Sequence, residues 1–334
     1  MLVTQSNLGP GRRSILTTSV LIILVFLGFL MTGCTPKEEV QKEMDVRDLS
    51  IQANLVFFYY KNLEAAQRFY EDVIGLEMVL DYGFAKLYRI SPTSYIGLVD
   101  EQKGMHSSDE PKTVTLSFVT EEIDEWYHYL VEQGVEMRGP LKDATRHPTR
   151  GFVAYDPEGY FLEFERFLDH PQNEKLLKIL SQHNAVYPLP DAEGSRPKTL
   201  GILANIFWLY YKDLEDAQRF YEDVFGFDLQ VDQGFAKVYT SSATAFVGLV
   251  DEAHGLHRFS EDKAVTLSFI SEQIDDWYDS LIEKGLVMKD DLADSERIPV
   301  RAFVTSDIAG YYLEFDRFLP HELNTKILQY LESQ

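Results

Sequence analysis

An internal repeat constrains the fold of this 334-residue chain more than any other feature of its sequence. The segment from Asn54 to Leu168 realigns on the segment from Asn205 to Leu319 at a constant offset of 151 residues, without a gap. About half of the aligned positions are identical, and VTLSFVTEEIDEWY of the first copy faces VTLSFISEQIDDWY of the second. Because each copy has the length of an ordinary domain, the sequence predicts two copies of one fold.

The first half of each copy predicts a strand, a helix and three more strands. In the first copy, Leu55 to Tyr60 is rich in β-branched and aromatic residues, and Asn62 then stands where a helix N-cap belongs. Apolar residues follow at helical spacing from Leu63 to Val73, and Gly75 ends the helix. Three short strand candidates come next, at 77–81, 84–90 and 95–99.

The second half of each copy repeats this order. Residues 114–119 predict a strand, and an apolar stripe at 123–130 predicts a helix that ends at Gly134. Further strands are expected around Met137, Phe152 and Phe161. Each copy is therefore predicted to be an α+β module of two βαβββ units.

The N-terminal residues are typical of an export signal. Arg12 and Arg13 precede an uncharged apolar run from Ile15 to Met31, and small residues follow it. The run is also about as long as a minimal transmembrane helix, so an uncleaved anchor is the alternative. The sequence LMTGC, which ends at Cys34, resembles the lipobox of bacterial lipoproteins. That resemblance implies cleavage before Cys34, lipidation of its thiol with palmitate-type chains, and a position on the cell envelope outside the cytoplasm.

The net charge and the single cysteine limit which binding partners and which kinds of site this chain can have. The formal net charge of −23 repels nucleic acid and anionic lipid headgroups, so nucleic acid is not an expected partner. Membrane attachment then depends on the acyl chains of Cys34. Since Cys34 is the only cysteine, the folded part contains no disulfide within the chain, no thiolate metal site and no cysteine nucleophile.

Two motifs in each copy resemble the vicinal oxygen chelate superfamily, also called the glyoxalase/bleomycin-resistance/dioxygenase superfamily. They are a DLExAxxFYxDxxG-like helix and a DPxGxxxE-like hairpin, at 62–75 and 156–163 in the first copy and at 213–226 and 307–314 in the second. The resemblance implies two tandem domains that pair within the chain, each with a sheet curled into a cup.

The predicted domain plan follows from the repeat and this resemblance. It comprises a lipoprotein signal peptide at 1–33, a tether at 34–50, a first vicinal-oxygen-chelate-like domain at 51–168, a helix and linker at 169–200, a second such domain at 201–319 and a C-terminal helix at 320–334.

Metal enzymes of that superfamily place ligands on the first, fifth and eighth strands. The matching positions are Leu55, Thr115 and Glu163 in the first copy and Ile206, Thr266 and Glu314 in the second. Leucine and isoleucine have no donor atom, and a threonine hydroxyl replaces imidazole poorly. If the alignment of the first strand were shifted by one residue, Asn54 and Asn205 would offer oxygen ligands but no nitrogen ligand. No cofactor is therefore favoured, and a divalent metal held by an atypical ligand set is the alternative, built from His106, Glu163, His257 and Glu314.

Strand alternation predicts which side chains face each cup. Residues two apart share a face, so each last strand turns two carboxylates to one side and each first strand turns aromatic rings to the same side. The predicted ligand-binding residues are Phe57, Tyr59, Thr115, Glu163, Glu165, Trp208, Tyr210, Thr266, Glu314 and Asp316. Ring walls over acidic floors suit a flat or cationic organic molecule, although a plain barrel core fits the same pattern.

Basic residues recur before the seventh strand of each copy. They are Arg146 and Arg150 in the first copy and Arg297 and Arg301 in the second. Their guanidinium groups suit an anionic substrate, but the neighbouring glutamates make ion pairs with Glu163 and Glu314 the favoured prediction. No nucleophile elbow, phosphate-binding loop or HExxH motif is present.

These features predict a membrane-anchored protein that binds a small organic ligand, cationic or aromatic, without metal. The alternative is a metal-dependent lyase or ring-cleaving dioxygenase of the glyoxalase or extradiol type. A third possibility is a protein-interaction scaffold on the envelope.

Overall fold

The computed structural model describes residues 45–143 and 148–333. The predicted signal peptide, Cys34 and Arg146 lie outside the described residues, as does most of the predicted tether. Within the described ranges, no helix is long and apolar enough to cross a membrane.

The described part of the chain contains fifteen strands and six α-helices, which follow the predicted order closely. The first copy contains β1 (Ala53–Tyr60), α1 (Leu63–Arg68), β2 (Glu77–Asp81), β3 (Ala85–Ser91), β4 (Ser94–Asp100), β5 (Val114–Val119), α2 (Ile123–Glu132), β6 (Thr149–Tyr155) and β7 (Phe161–Phe167), and then α3 (Glu174–Leu180). The second copy contains β8 (Ala204–Tyr211), α4 (Leu214–Asp223), β9 (Asp228–Asp232), β10 (Ala236–Ser242), β11 (Ala245–Asp251), β12 (Val265–Ile270), α5 (Ile274–Glu283), β13 (Asp290–Asp294), β14 (Val300–Ser306), β15 (Tyr312–Phe318) and α6 (Thr325–Glu332).

Each sheet combines one half of each copy. The eight-stranded sheet has the order β13-β14-β15-β12-β1-β4-β3-β2, and the seven-stranded sheet has the order β6-β7-β5-β8-β11-β10-β9. The copies are joined where β1 pairs with β12 and where β5 pairs with β8, both antiparallel. The first cup is the inner face of the eight-stranded sheet and the second cup that of the seven-stranded sheet. A cup therefore belongs to both copies, and the two copies fold as one compact unit.

Alternation along β1 divides its side chains between the cup and the central core. Val56, Phe58 and Tyr60 are fully buried in a core that also contains Trp126 of α2 and Trp277 of α5. Residues 55, 57 and 59 point to the other face, as the sequence predicts. Each large apolar side chain buried in this way contributes roughly 1.5–3 kcal/mol relative to exposure.

The helices begin where the sequence predicts. The side chain of Asn62 accepts a hydrogen bond from the backbone N–H of Ala65 at 3.0 Å, and Asp213 caps α4 in the same way through Asp216 at 2.9 Å. In the first copy α1 widens into a π-helical turn over Phe69–Val73, whereas α4 stays regular.

The strand predicted around Met137 is wrong in the first copy. Only isolated bridges remain there, between Met137 and Ala154 and between Lys142 and Gly151, whereas the second copy forms β13. The first copy carries Gly139-Pro140 where the second carries two aspartates. Proline has no N–H to donate, and glycine weakens a strand, so the ladder does not extend.

Segments outside the repeats complete the core at matching places. The indole N–H of Trp126 donates to the carbonyl of Gly201 at 3.1 Å, and that of Trp277 donates to the carbonyl of Ser50 at 3.2 Å. Val46 and Leu49 are buried. The end of the predicted tether, residues 45–50, therefore packs against the folded unit.

Candidate functional site

Two neighbouring carboxyl groups form the floor of the first cup. Glu314 and Asp316 lie two residues apart on β15, and the hydroxyl of Ser268 on β12 donates to Asp316 at 2.6 Å. Burial raises the pKa of Asp316 to about 7, although the Ser268 hydroxyl lowers it in part. Burial, together with Asp316 and Asp290 nearby, raises the pKa of Glu314 well above its usual range. At neutral pH the pair therefore retains at least one proton.

Aromatic rings form the opposite wall of the first cup. Phe57 and Tyr59 on β1 face Phe84 across a cavity of about 440 Å³. The ring of Phe57 lies directly over Gly97 on β4, where any side chain would collide with it. The Tyr59 hydroxyl shares a 2.7 Å hydrogen bond with Thr266, which fixes the ring.

The rim of the first cup carries charges of both signs. Asp290 and Asp291 lie on β13, and Lys103 and Arg297 line the same cavity. The guanidinium of Arg297 is 4.5 Å from the centre of the Phe84 ring, a cation–π distance. A bound organic cation would accordingly face four carboxyl groups and the aromatic wall, with two basic side chains at the edge.

The second cup repeats the carboxyl floor but not the open wall. Glu163 and Glu165 lie two residues apart on β7, and the Ser117 hydroxyl donates to Glu165. Burial raises the pKa of Glu165 to about 7, opposed by Ser117 and the Trp208 indole. Burial and Glu165 raise the pKa of Glu163 well above its usual range. The cavity here is about 290 Å³.

The wall of the second cup carries a larger aromatic ring than that of the first. Trp208 stands where the first cup has Phe57, packs on Gly248 and is only 6% exposed, whereas Phe57 remains half-buried. Trp208 and Tyr210 belong to the apolar cluster that fills the second cup from the side of α3. Tyr210 is as buried as its counterpart Tyr59, so the wall of the first cup is more open only at Phe57.

The two predicted histidines close corresponding ends of the cups. The ring of His106 packs against Tyr312 at 4.4 Å and Tyr59 at 5.1 Å, and its Nδ1 is 2.7 Å from Glu110. Burial lowers the pKa of His106. His257 packs against Phe161 and Tyr210 in the second cup, and burial lowers its pKa to about 4.

The residues at the superfamily's metal positions do not fit a metal ion. Leu55 and Ile206 are buried and lack donor atoms, and the hydroxyls of Thr115 and Thr266 are hydrogen-bonded to Tyr210 and Tyr59. The alternative ligand set is divided between the cups, because His106 packs on Tyr312 of β15 and His257 on Phe161 of β7. Across 45–143 and 148–333, no three His, Cys, Asp or Glu side chains are grouped to hold a metal.

The arginine prediction needs correction. Arg150 pairs with Asp124 at 2.7 Å and Asp143 at 3.0 Å, not with Glu163. Arg301 pairs with Asp275 and Asp294 in the same arrangement. The partners of Arg150 and Arg301 are therefore aspartates outside the two carboxyl floors.

The structure redistributes the predicted cup residues between the copies. Phe57 and Tyr59 join Thr266, Glu314 and Asp316 in the first cup. Trp208 and Tyr210 join Thr115, Glu163 and Glu165 around the second cup. Sequence reasoning missed the rim residues Asp290, Asp291, Arg138 and Lys142. The signal was available, because the rim is where the two aligned copies differ most in charge.

Comparison with known proteins agrees with this architecture. Residues 52–164 match the model of the Glyoxalase/Bleomycin resistance protein/Dioxygenase superfamily. The chain carries a domain of this superfamily. Because the second copy aligns with the first without a gap, it is a second domain of the same kind. A comparison with curated protein sequences gives no match.

Solved structures of the superfamily share the fold at low sequence identity. Glyoxalase I from Zea mays is 13% identical, with a TM-score of 0.58, over 86% of this chain and 98% of that one. A mutant of the same enzyme has a TM-score of 0.60 at the same identity and coverage. A dioxygenase candidate from Bacillus subtilis subsp. subtilis str. 168 is 14% identical over 86% of this chain and 90% of its own, with a TM-score of 0.59.

Proposed function

We propose that the first cup binds a small organic molecule that combines an apolar, aromatic body with a cationic group. The observation that carries this proposal is the cavity of about 440 Å³ between an aromatic wall and the carboxyl pair Glu314 and Asp316. Its volume lies within the range of roughly 300–1,000 Å³ that is typical of small-molecule sites.

The chemistry of the lining matches such a ligand. A cation near Glu314 and Asp316 favours their charged forms, so binding is coupled to release of a proton from the pair. Phe57 and Phe84 offer ring faces to the apolar body and attract the cation through their quadrupoles. Both interactions act in a partly dehydrated cavity, where they are stronger than in water.

A titration of the full chain in detergent micelles tests this proposal. Benzylamine and benzyltrimethylammonium are the probes, and isothermal calorimetry gives the affinity. We expect saturable binding, weakened about tenfold or more by Glu314→Gln combined with Asp316→Asn, because the cation then loses its counter-charge.

The matched control is Glu163→Gln with Glu165→Gln, the same change in the second cup. This control variant should bind the cations as the parent does. Absence of saturable binding of either probe, or an equal loss in the control, would contradict the proposal.

We propose further that the chain is held on the cell envelope through lipid on Cys34. The support is the apolar run that ends in LMTGC and the acidic charge, which leaves acyl chains as the means of attachment. Intact mass spectrometry of the protein from its membrane fraction should show a chain that begins at Cys34 and carries diacylglycerol. An unmodified full-length mass, or Cys34→Ser protein in the same fraction, would contradict this.

A further inference from the structure

We propose that the second cup is a separate binding site for a small organic oxyanion, a carboxylate or a phosphate, held by Arg138 and Lys142. Both side chains line the cavity of about 290 Å³ above the Glu163 and Glu165 floor. The site goes beyond the cation-binding function of the first cup and does not depend on it.

The two basic groups are available to a ligand. Among the described residues neither Arg138 nor Lys142 forms an ion pair, and the Arg138 guanidinium lies 5.7 Å from the Phe161 ring centre. The third basic residue in the lining, Arg150, is already neutralised by Asp124 and Asp143. Arg138 and Lys142 therefore face the cavity without a neutralising carboxylate partner in the described part of the chain.

The floor beneath these cations complements an oxyanion. Arg138 and Lys142 act on Glu163 through charge alone and do not reach it as hydrogen-bonded partners, so the cavity separates the two sets of groups. An arginine fork matches the two oxygens of a carboxylate or phosphate. A carboxyl group that retains its proton donates a hydrogen bond to the same oxyanion from below.

The walls limit the size of the ligand. Phe152, Val153 and Leu256 form an apolar side of the cavity. Its volume of about 290 Å³ lies just below the range of roughly 300–1,000 Å³ for drug-sized ligands, so the cavity suits a ligand of about the size of benzoate.

The corresponding rim of the first cup lacks this arrangement. Lys142 is replaced there by Ala293, and Gly139 and Pro140 are replaced by Asp290 and Asp291. Lys289, which corresponds to Arg138, lies over the Tyr312 ring at 4.3 Å much as Arg138 lies over Phe161, so the difference between the rims rests on Lys142 and on the two aspartates. The same fold therefore places two aspartates where the second cup has none.

Calorimetric titration of the full chain with benzoate, phenyl phosphate and inorganic phosphate tests the inference. We expect saturable binding of at least one organic oxyanion. The double variant Arg138→Lys with Lys142→Ala installs the residues of the first cup and should weaken that binding about tenfold or more. Both positions are exposed, so the variant should unfold at the same temperature as the parent.

A control variant and a second variant distinguish this site from binding elsewhere on the protein. Lys289→Ala, in the first cup, should leave oxyanion binding unchanged. If the double variant does not fold, Lys142→Ala alone replaces it in the test and should also weaken oxyanion binding. Binding that survives both rim variants, or no binding of any of the three anions, would overturn the inference. Equal binding of inorganic phosphate and phenyl phosphate would remove the organic part of the assignment. The cation titration of the first cup is independent of all these results.

Discussion

The two cups of this chain share a scaffold and differ in their linings. The scaffold is almost symmetrical, as in the hydrogen bonds from Tyr60 to Asp156 at 2.6 Å and from Tyr211 to Asp307 at 2.7 Å. The linings differ in volume and in the charge of their rims. Duplicated folds therefore preserve the buried hydrogen bonds that define the backbone, while positions that face a cavity remain free to change.

An exchange of the aromatic residues in the walls of the two cups should change ligand affinity more than any other variant. Phe57→Trp places the larger ring of the second cup in the first, and we expect cation binding there to weaken by one to two orders of magnitude, as overpacking of a site predicts. Trp208→Phe is the matched control and should leave the first cup unchanged. Calorimetry with benzyltrimethylammonium distinguishes them, and unchanged affinity in Phe57→Trp would show that the ligand lies elsewhere.

The pH dependence of stability should be the next largest effect, and equal for the two cups. The pKa of Asp316 and that of Glu165 are raised to about 7 by burial. A carboxyl group whose pKa is raised by folding stabilises the folded state at pH values below its pKa in the unfolded chain. That stabilisation is lost as the pH rises through the raised pKa of the folded state.

The free energy of unfolding should therefore fall between pH 5 and pH 7.5, by about 2 kcal/mol for each such group. Urea unfolding at several pH values measures this fall. Asp316→Asn and Glu165→Gln should each remove a similar share of it. A fall that only one of the two variants reduces would show that the carboxyl floors are not equivalent.

Ligand binding should separate the cups by the sign of its pH response. A cation prefers the deprotonated pair of Glu314 and Asp316, so its affinity should rise from pH 6 to pH 8, by at most about tenfold per pH unit for one linked proton. An oxyanion over Glu163 and Glu165 prefers the protonated form, and its affinity should fall over the same range. Responses of the same sign would mean that the floors do not contact the ligands.

Removing the glutamates that follow the two loop histidines should give the smallest difference between the cups. Glu110 holds His106 at 2.7 Å, whereas the corresponding Glu261 is exposed and 3.7 Å from Lys212. Glu110→Ala should lower the free energy of unfolding by about 1 kcal/mol, because the buried ring loses its partner. Glu261→Ala should change it by less than about 0.5 kcal/mol. Thermal unfolding of the two variants compares them, and equal shifts would contradict the difference between the loops.

Much of the fold could be predicted from the sequence because its signals are local. The caps Asn62 and Asp213, the strand at 114–119 and the alternation along β1 follow from residue type and spacing. The exchange of halves between the copies could not be predicted in this way. Strands of such similar sequence can pair within a copy or across copies, so the repeat itself removes much of the information that would decide between the two pairings.

The candidate site was predictable in its floor and not in its rim. The pairs Glu163 with Glu165 and Glu314 with Asp316 follow from the period of a strand. The groups around them depend on which loops reach the cup. Asp290 and Lys142 belong to a segment that is a strand in one copy and irregular in the other, and its position depends on tertiary packing.

The sharing of each sheet by both copies also sets an order of assembly during synthesis. The second cup needs only strands β5 to β11, which are continuous in the chain, whereas the first joins β1 to β12 and has Tyr330 hydrogen-bonded to Glu77, 253 residues away. Contacts of such long range form slowly and only after the distant segment has been made. Strands β1 to β4 can pair with one another early, but the second edge of β1 stays without its partner until β12 of the second copy has been made.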